Sequence, residues 1–272
     1  MPILTGTAPH EAFIDPDEVD RPIVAYGAIM PEIGAVELEA HSHRKGQFIL
    51  VQRGALTCEV DGGLWMVPPR SALWIPGGAV HAIKGSGIEG YAAFIASDRA
   101  GHLPRSCCAL SATPLMRELL SRACDFPLYY DEDGPEARIV AVLLDEVAGA
   151  QVENLHLPMP GDGRLRGLIE QMIAAPAQRA TMEVWARKGG LSERTLARLI
   201  LRETGMSFGR WRQQLSVMLA IKAMADGATI QQVAADLGYE SMPSFVTMFR
   251  KVLGSPPGRY MAERYAAGSP GL

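Results

Sequence analysis

The spacing of apolar residues changes twice along the chain. From Ile23 to about residue 100 they come in short runs: IVAYGAI, AVELEA, QFILVQ, ALTCEV, LWMVP, SALWIP, AVHAIK and YAAFIAS, most of them separated by Gly, Pro or Asp-Gly. In ALTCEV, Leu56, Cys58 and Val60 alternate with Thr57 and Glu59, the period-two pattern of a strand with one buried face. Asp61-Gly62-Gly63 is a hairpin turn, because glycine adopts positive φ freely. Eight such runs over about 75 residues predict an antiparallel sandwich or barrel.

The period then becomes helical. Pro114–Phe126 and Glu136–Gln151 read as amphipathic helices, the second with Val140, Leu143, Leu144 and Val147 on one stripe. Such stripes need cover, from the barrel or from a second copy of the chain, so a homodimer is one expectation. LHLPMPGDGR, Leu155–Arg164, reads as a linker, since its prolines and glycines block regular structure. From there the chain is helical almost to its end, with Thr181, Ser192, Ser207 and Thr229 as N-caps, Gly189-Gly190, Gly227, Gly238 and Gly254 as breaks, and a short final turn carrying Tyr260. The pattern gives an arm (1–22), a barrel (23–100), a helical segment (101–154), a linker (155–163), a helical domain (164–264) and a tail expected to be disordered (265–272). The predicted class is a two-domain α+β protein: a β-barrel of cupin or jelly-roll type with following helices, then an all-α domain.

The helical domain contains one unit twice. Ala186 and Gly190 recur as Ala234 and Gly238 at an offset of 48, and Leu196, Gly205, Arg210 and Trp211 recur as Phe245, Gly254, Arg259 and Tyr260 at 49. Each copy has the anatomy of a helix-turn-helix: a small residue where helices cross, a glycine in the tight turn, then apolar anchors (Leu191, Leu196 and Leu199; Tyr239, Phe245 and Phe249). Such a unit sets its second helix into a DNA major groove. The helix joining the copies, about 19 residues from Phe208, spans roughly 28 Å, close to the ~34 Å between successive groove windows.

Charge supports that division. Residues 1–160 hold 11 basic and 21 acidic side chains, and residues 161–272 hold 15 and 9, so a front of −10 precedes a basic part of +6 within the total of −4. No apolar run approaches the ~20 residues of a membrane span. The first residues lack the basic-then-apolar layout of a signal peptide. Cys58, Cys107, Cys108 and Cys124 form no Cys-x-x-Cys pair and read as reduced thiols of a cytoplasmic protein.

The stretches LSERTLARLILRETGMSFGRWRQQL and ATIQQVAADLGYESMPSFVTMFRKVLGSPPGRY resemble the DNA-binding domain of the AraC/XylS family of transcription regulators, over essentially all of 163–264. Ser216 and Ile200 depart from its usual pattern, which has an arginine and an aromatic there. The resemblance implies a double-stranded DNA operator as partner, and RNA polymerase as another if the protein activates. On the first reading helix the exposed positions are Arg194, Thr195, Ala197 and Arg198, and arginine on guanine O6/N7 is the commonest specific contact. On the second they are Met242, Pro243, Val246 and Thr247, which suit thymine methyls and DNA shape. Arg210, Arg250, Lys251 and Arg259 are candidates for phosphate contacts or structural ion pairs.

In the front domain, Gly34-x6-His41-x-His43-x3-Gln47-x6-Gly54 followed by Pro76-x-Gly78-x2-His81 resembles the two cupin motifs, with Gln47 where metal-binding cupins have a carboxylate. Histidines at i and i+2 of a strand share a face, so His41 and His43 can chelate together. Three neutral imidazoles and an amide suit Ni, Zn, Fe or Mn. The same residues can instead hydrogen-bond within the barrel, and regulatory cupins of this kind often take an organic effector without metal. A family branch with this HxH…Q…PxGxxH pattern and an LHLPMP-like linker includes nickel-responsive repressors. Tyr26, Phe48, Trp65 and Trp74 would line an effector pocket or serve as core, and His10, His102 and His156 read as isolated. The expected function is a non-enzymatic, sequence-specific regulator whose barrel senses a small molecule or a metal ion. The alternative is a cupin metalloenzyme, a dioxygenase or isomerase, with an appended DNA-binding domain.

Overall fold

A computed structural model describes residues 3–5, 14–30, 36–85, 87–178 and 180–265. The chain divides into two compact units: residues up to Leu155, and His156 onward together with Gly62–Leu64.

The first unit is built from β1 (Ile3–Thr5), β2 (Ile23–Met30), β3 (Val36–His41), β4 (Gly46–Arg53), β5 (Leu56–Val60), β6 (Gly63–Val67), β7 (Ser71–Ile75), β8 (His81–Gly85), β9 (Ile88–Ile95), β10 (Cys108–Ser111), α1 (Pro114–Ala123), α2 (Pro135–Ala148) and β11 (Val152–Glu153). One sheet has the order β1-β2-β9-β4-β7-β10-β11, and the other runs β6-β5-β8-β3. The pairs β2/β9, β4/β9, β4/β7 and β5/β8 are antiparallel, as the turn-separated runs predict. β4 is buried on both faces, and its side chains divide by parity. Ile49 and Val51 join Leu56, Cys58, Val60, Leu73, Ile75 and Ile83 between the sheets. Phe48 and Leu50 join Trp74, Met116, Leu120, Val140, Leu143 and Val147 beneath the helices. The apolar stripes of α1 and α2 therefore cover the barrel. Leu144, expected in the buried stripe, is only half-buried, and Leu115 and Val142 stay exposed.

The second unit holds β12 (His156–Pro158), α3 (Gly163–Ala174), α4 (Met182–Lys188), α5 (Glu193–Thr204), α6 (Phe208–Ala225), α7 (Ile230–Asp236), α8 (Met242–Leu253) and α9 (Pro257–Tyr265). All four expected N-caps form, Thr229 with a full capping box. Two expectations change. The connection is no free linker: it carries β12, Leu157 is fully buried, and the Trp211 indole N–H donates to Pro158 C=O at 2.9 Å. The short turn expected around Tyr260 is the nine-residue helix α9. The expected disorder of the tail, apart from Tyr265, falls outside the described residues, as do residues 1–2 and 6–13 of the arm, His10 among them, and Gly34.

Candidate DNA interface and histidine site

The two repeats fold alike. Ala186 and Ala234 are buried where α4 meets α5 and α7 meets α8, and Gly190 (φ 62°) and Gly238 (φ 70°) hold the left-handed backbone of the turns. The buried anchors are Leu196 and Ile200 on α5, Phe245 and Phe249 on α8. Ile200, rather than the half-buried Leu199, is thus the counterpart of Phe249.

Among the described residues, the side chains of Arg194, Arg198, Arg210, Arg250 and Lys251 are exposed without an ion pair, free to meet an anion. The other candidates divide. The Thr195 hydroxyl is taken by the Ser192 cap, 2.9 Å away, and Ala197 is half-buried. Met242, Pro243 and Thr247 are exposed, while Val246 is half-buried. Arg259 donates to Glu263 at 2.7 Å, which places it in a structural ion pair.

In the barrel, His41 ends β3 directly opposite His81 at the start of β8, and His43 follows in the connecting loop. The two motifs are tied through backbone: Gly78 (φ 83°) donates its N–H to His43 C=O at 2.8 Å. One nitrogen from each of His41, His43 and His81 lies within 4.8 Å of the others. His41 Nδ1 faces Glu39 C=O at 2.8 Å, His81 Nδ1 faces Ala79 C=O at 3.0 Å, and His43 Nδ1 faces Lys45 C=O. A carbonyl can only accept, so each Nδ1 carries the proton and each neutral ring keeps its lone pair on Nε2. His43 Nε2 then meets Gln47 Oε1 at 3.3 Å, two acceptors facing each other unless the amide turns its N–H₂ inward or a cation lies between them. His81 is 1% exposed, and its Nε2 is buried without a hydrogen-bond partner among the described residues. Burial, reinforced by the neighbouring His41 and His43, pushes its pKa down to about 4.

These residues fit a divalent transition metal. The donors are imidazole nitrogens, their tautomers are set by second-layer carbonyls, and one donor is an orphaned buried lone pair.

Known proteins agree with this architecture. A helix-turn-helix domain family matches residues 185–263. The chain is 39% identical over 255 residues, 93% of each chain, to the HTH-type transcriptional regulator NimR of Escherichia coli. It is 31% identical over 114 residues, 42% of this chain and 34% of that protein, to the HTH-type transcriptional regulator RipA of Corynebacterium glutamicum. The DNA-binding domain of AdpA, solved in complex with a target DNA, aligns at 24% identity over 40% of this chain and 98% of its own, with a TM-score of 0.37.

The chain belongs to the AraC/XylS family of transcription regulators. The AraC-type domain is the DNA-binding half. No described helix is long and apolar enough to cross a membrane.

Of the aromatics near the regulator's histidines that the sequence offers as pocket lining or core, Tyr26, Phe48 and Trp74 stand in core clusters and Trp65 packs against them. Phe48 and Trp74 are fully buried on the helix-facing side of their sheet, because residues next to Gln47 and Ile75 on a strand must point away from the interior. Trp65 packs against both core layers. Tyr26 is buried against Phe94, and its hydroxyl donates to Ile14 C=O at 2.9 Å. Phe94, absent from the sequence candidates, stands edge-on to His43 at 5.1 Å between ring centroids. Asp17 was also not anticipated. Its carboxylate accepts from the Arg44 and Lys45 N–H groups, which fixes the His43 loop, and these bonds outweigh burial to hold its pKa below the usual range. Asp17 sits in the arm, and nothing in its local sequence signals a partner 28 residues on.

Proposed function

We propose that the barrel of this AraC-type regulator is its sensor, and that a divalent transition metal bound by His41, His43 and His81, with Gln47 beside them, is the signal that alters operator binding. The observation that carries this reading is His81 Nε2, a buried lone pair without a hydrogen-bond partner among the described residues, on a ring 4.3 and 5.0 Å from the imidazoles of His41 and His43. Leaving such a group unpaired costs about 1–3 kcal/mol, which a metal bond would recover. The donor set is neutral, so a bound M²⁺ keeps its full charge within the barrel. Signalling requires that the metal favour one arrangement of the protein over another.

An organic effector is the second reading, favoured by a charged cleft of about 740 Å³ near the His43 loop, lined by Asp17, Asp20, Arg21, Arg44, Asp98 and Arg99 among others. The exposed Leu115 and Val142 on α1 and α2 support pairing of two copies through those helices. Action on a DNA operator supports a cytoplasmic location.

Metal analysis of the purified full-length protein, with operator binding measured before and after chelation, tests the metal reading. Stoichiometric Ni, Zn, Fe or Mn that is lost in His81→Ala, with a change in operator affinity on removal, is the expected result. Metal that binds equally to His81→Ala, or operator affinity indifferent to chelation, refutes it.

A further inference from the structure

Helices α5 and α8 can be compared residue by residue. Each has twelve residues, each is capped by a serine that accepts from the N–H three residues on, and each ends at a glycine in the left-handed region: Ser192 and Gly205, Ser241 and Gly254. The caps put every α5 position opposite the α8 position 49 residues later. The anchors obey this register, Leu196 with Phe245 and Ile200 with Phe249, all fully buried. Arg194 then corresponds to Pro243, Ala197 to Val246 and Arg198 to Thr247. Near the C-terminal end, Leu201 corresponds to Arg250 and Arg202 to Lys251. Arg202 is engaged by Glu203 at 2.7 Å, whereas Arg250 and Lys251 carry no ion pair among the described residues.

The two helices therefore distribute their charge in opposite ways. On α5 the unpaired cations lie in the N-terminal half, the part of a recognition helix that meets base edges. Arg194 and Arg198 are one turn apart on one face, and a guanidinium matches guanine O6 and N7 with two hydrogen bonds. On α8 the same two positions hold a proline, whose side chain has no donor, and a threonine. Around them Met242 is 46% exposed and Val246 half-buried, so this end offers mostly methyl groups. Its cations stand two turns later, where a helix leaving the groove passes the phosphates.

We propose that the operator is chemically asymmetric: a guanine-bearing half-site read by Arg194 and Arg198 of α5, and, about one helical turn away, a thymine-bearing half-site contacted through its C5-methyl groups by Met242, Val246 and Thr247 of α8. This rests on DNA binding by the AraC-type domain and is independent of the metal.

The test uses the full-length protein and a duplex selected from a random library for tight binding. Guanines are replaced by 7-deazaguanine, which lacks N7, and thymines by uracil, which lacks the methyl, one half-site at a time. In one half-site 7-deazaguanine weakens binding by roughly fivefold or more, within the range of a bidentate contact, and the effect vanishes in Arg194→Ala/Arg198→Ala. In the other half-site uracil weakens binding by about fourfold per methyl in contact, and the effect shrinks in Met242→Ala; a uracil effect unchanged in Met242→Ala overturns the part assigned to Met242. The analogues act on wild-type protein, so a variant that fails to fold does not remove the test. Equal 7-deazaguanine effects in both half-sites overturn the proposal, as does an effect that persists without the two arginines. Selection of no preferred sequence also overturns it and leaves the metal reading standing.

Discussion

The His81 ring lies 4.3 Å, centroid to centroid, from the His41 ring that faces it across the β3–β8 pair. Neighbouring strands bring side chains opposite each other within contact distance, so the sheet register itself sets two of the three imidazoles together. The third, His43, stands 5.0 Å from His81.

Metal binding to this cluster stabilises the barrel by mass action. At a free concentration one hundred times the dissociation constant the gain is about 2.7 kcal/mol, or roughly 5–10 °C in melting temperature at this chain size. Thermal denaturation with Ni²⁺ or Zn²⁺ is expected to show that rise in wild type and none in His41→Ala or His81→Ala. An equal rise in the variants would place the metal elsewhere.

Acid destabilises the metal-free protein through His81. Its ordinary value of 6.5 is lowered to about 4 in the fold, so between those limits the unfolded chain binds the extra proton. Stability from this source is complete above about pH 6.5 and disappears as the pH falls toward 4, a loss on the order of 2 kcal/mol. Urea midpoints across that window are expected to fall less steeply in His81→Leu than in wild type. Parallel slopes would mean that His81 titrates normally.

Arg250→Ala and Lys251→Ala are expected to weaken binding to all DNA sequences alike. Each lost phosphate contact lowers the slope of log affinity against log salt by about 1. A change in sequence preference would instead make either residue a base reader.

Trp211→Phe removes the donor to Pro158 C=O while keeping an aromatic ring. Losing one hydrogen bond at this half-buried carbonyl costs about 0.5–1.5 kcal/mol, and chemical denaturation of the helical unit is the measurement. An unchanged midpoint would show that this hydrogen bond does not hold the β12 segment.

Burial pushes the thiols of Cys58 and Cys124 up to about 12 and Cys108 to about 11, and raises Cys107 further. Native protein at pH 8 is expected to leave all four unmodified by Ellman's reagent for minutes, with four thiols titrating in denaturant. Prompt reaction of one would mark a local opening of the fold.

The helix-turn-helix repeats were legible because their determinants are local. A cap serine, a turn glycine and anchors three to four residues apart act within a few turns, so Ser192, Gly190 and Leu196 announce their roles along the chain. The histidine motif was legible through its cupin-like spacing; His41 and His43 do not share a strand face, because β3 ends at His41 and His43 lies in the loop that follows. Sequence could not assign Phe48 and Trp74. β4 is buried on both faces, so hydrophobicity does not alternate and parity carries no signal. Nor could it reveal the strand in the LHLPMP segment, whose partners lie far along the chain. The tautomers of His41, His43 and His81 are set by the carbonyls of Glu39, Lys45 and Ala79, backbone groups that every residue type possesses. Residue identity thus determined which chemical groups this regulator brings to DNA and to its barrel. Only the folded chain, by fixing strand parity, long-range pairing and backbone direction, decided which of those groups face each other.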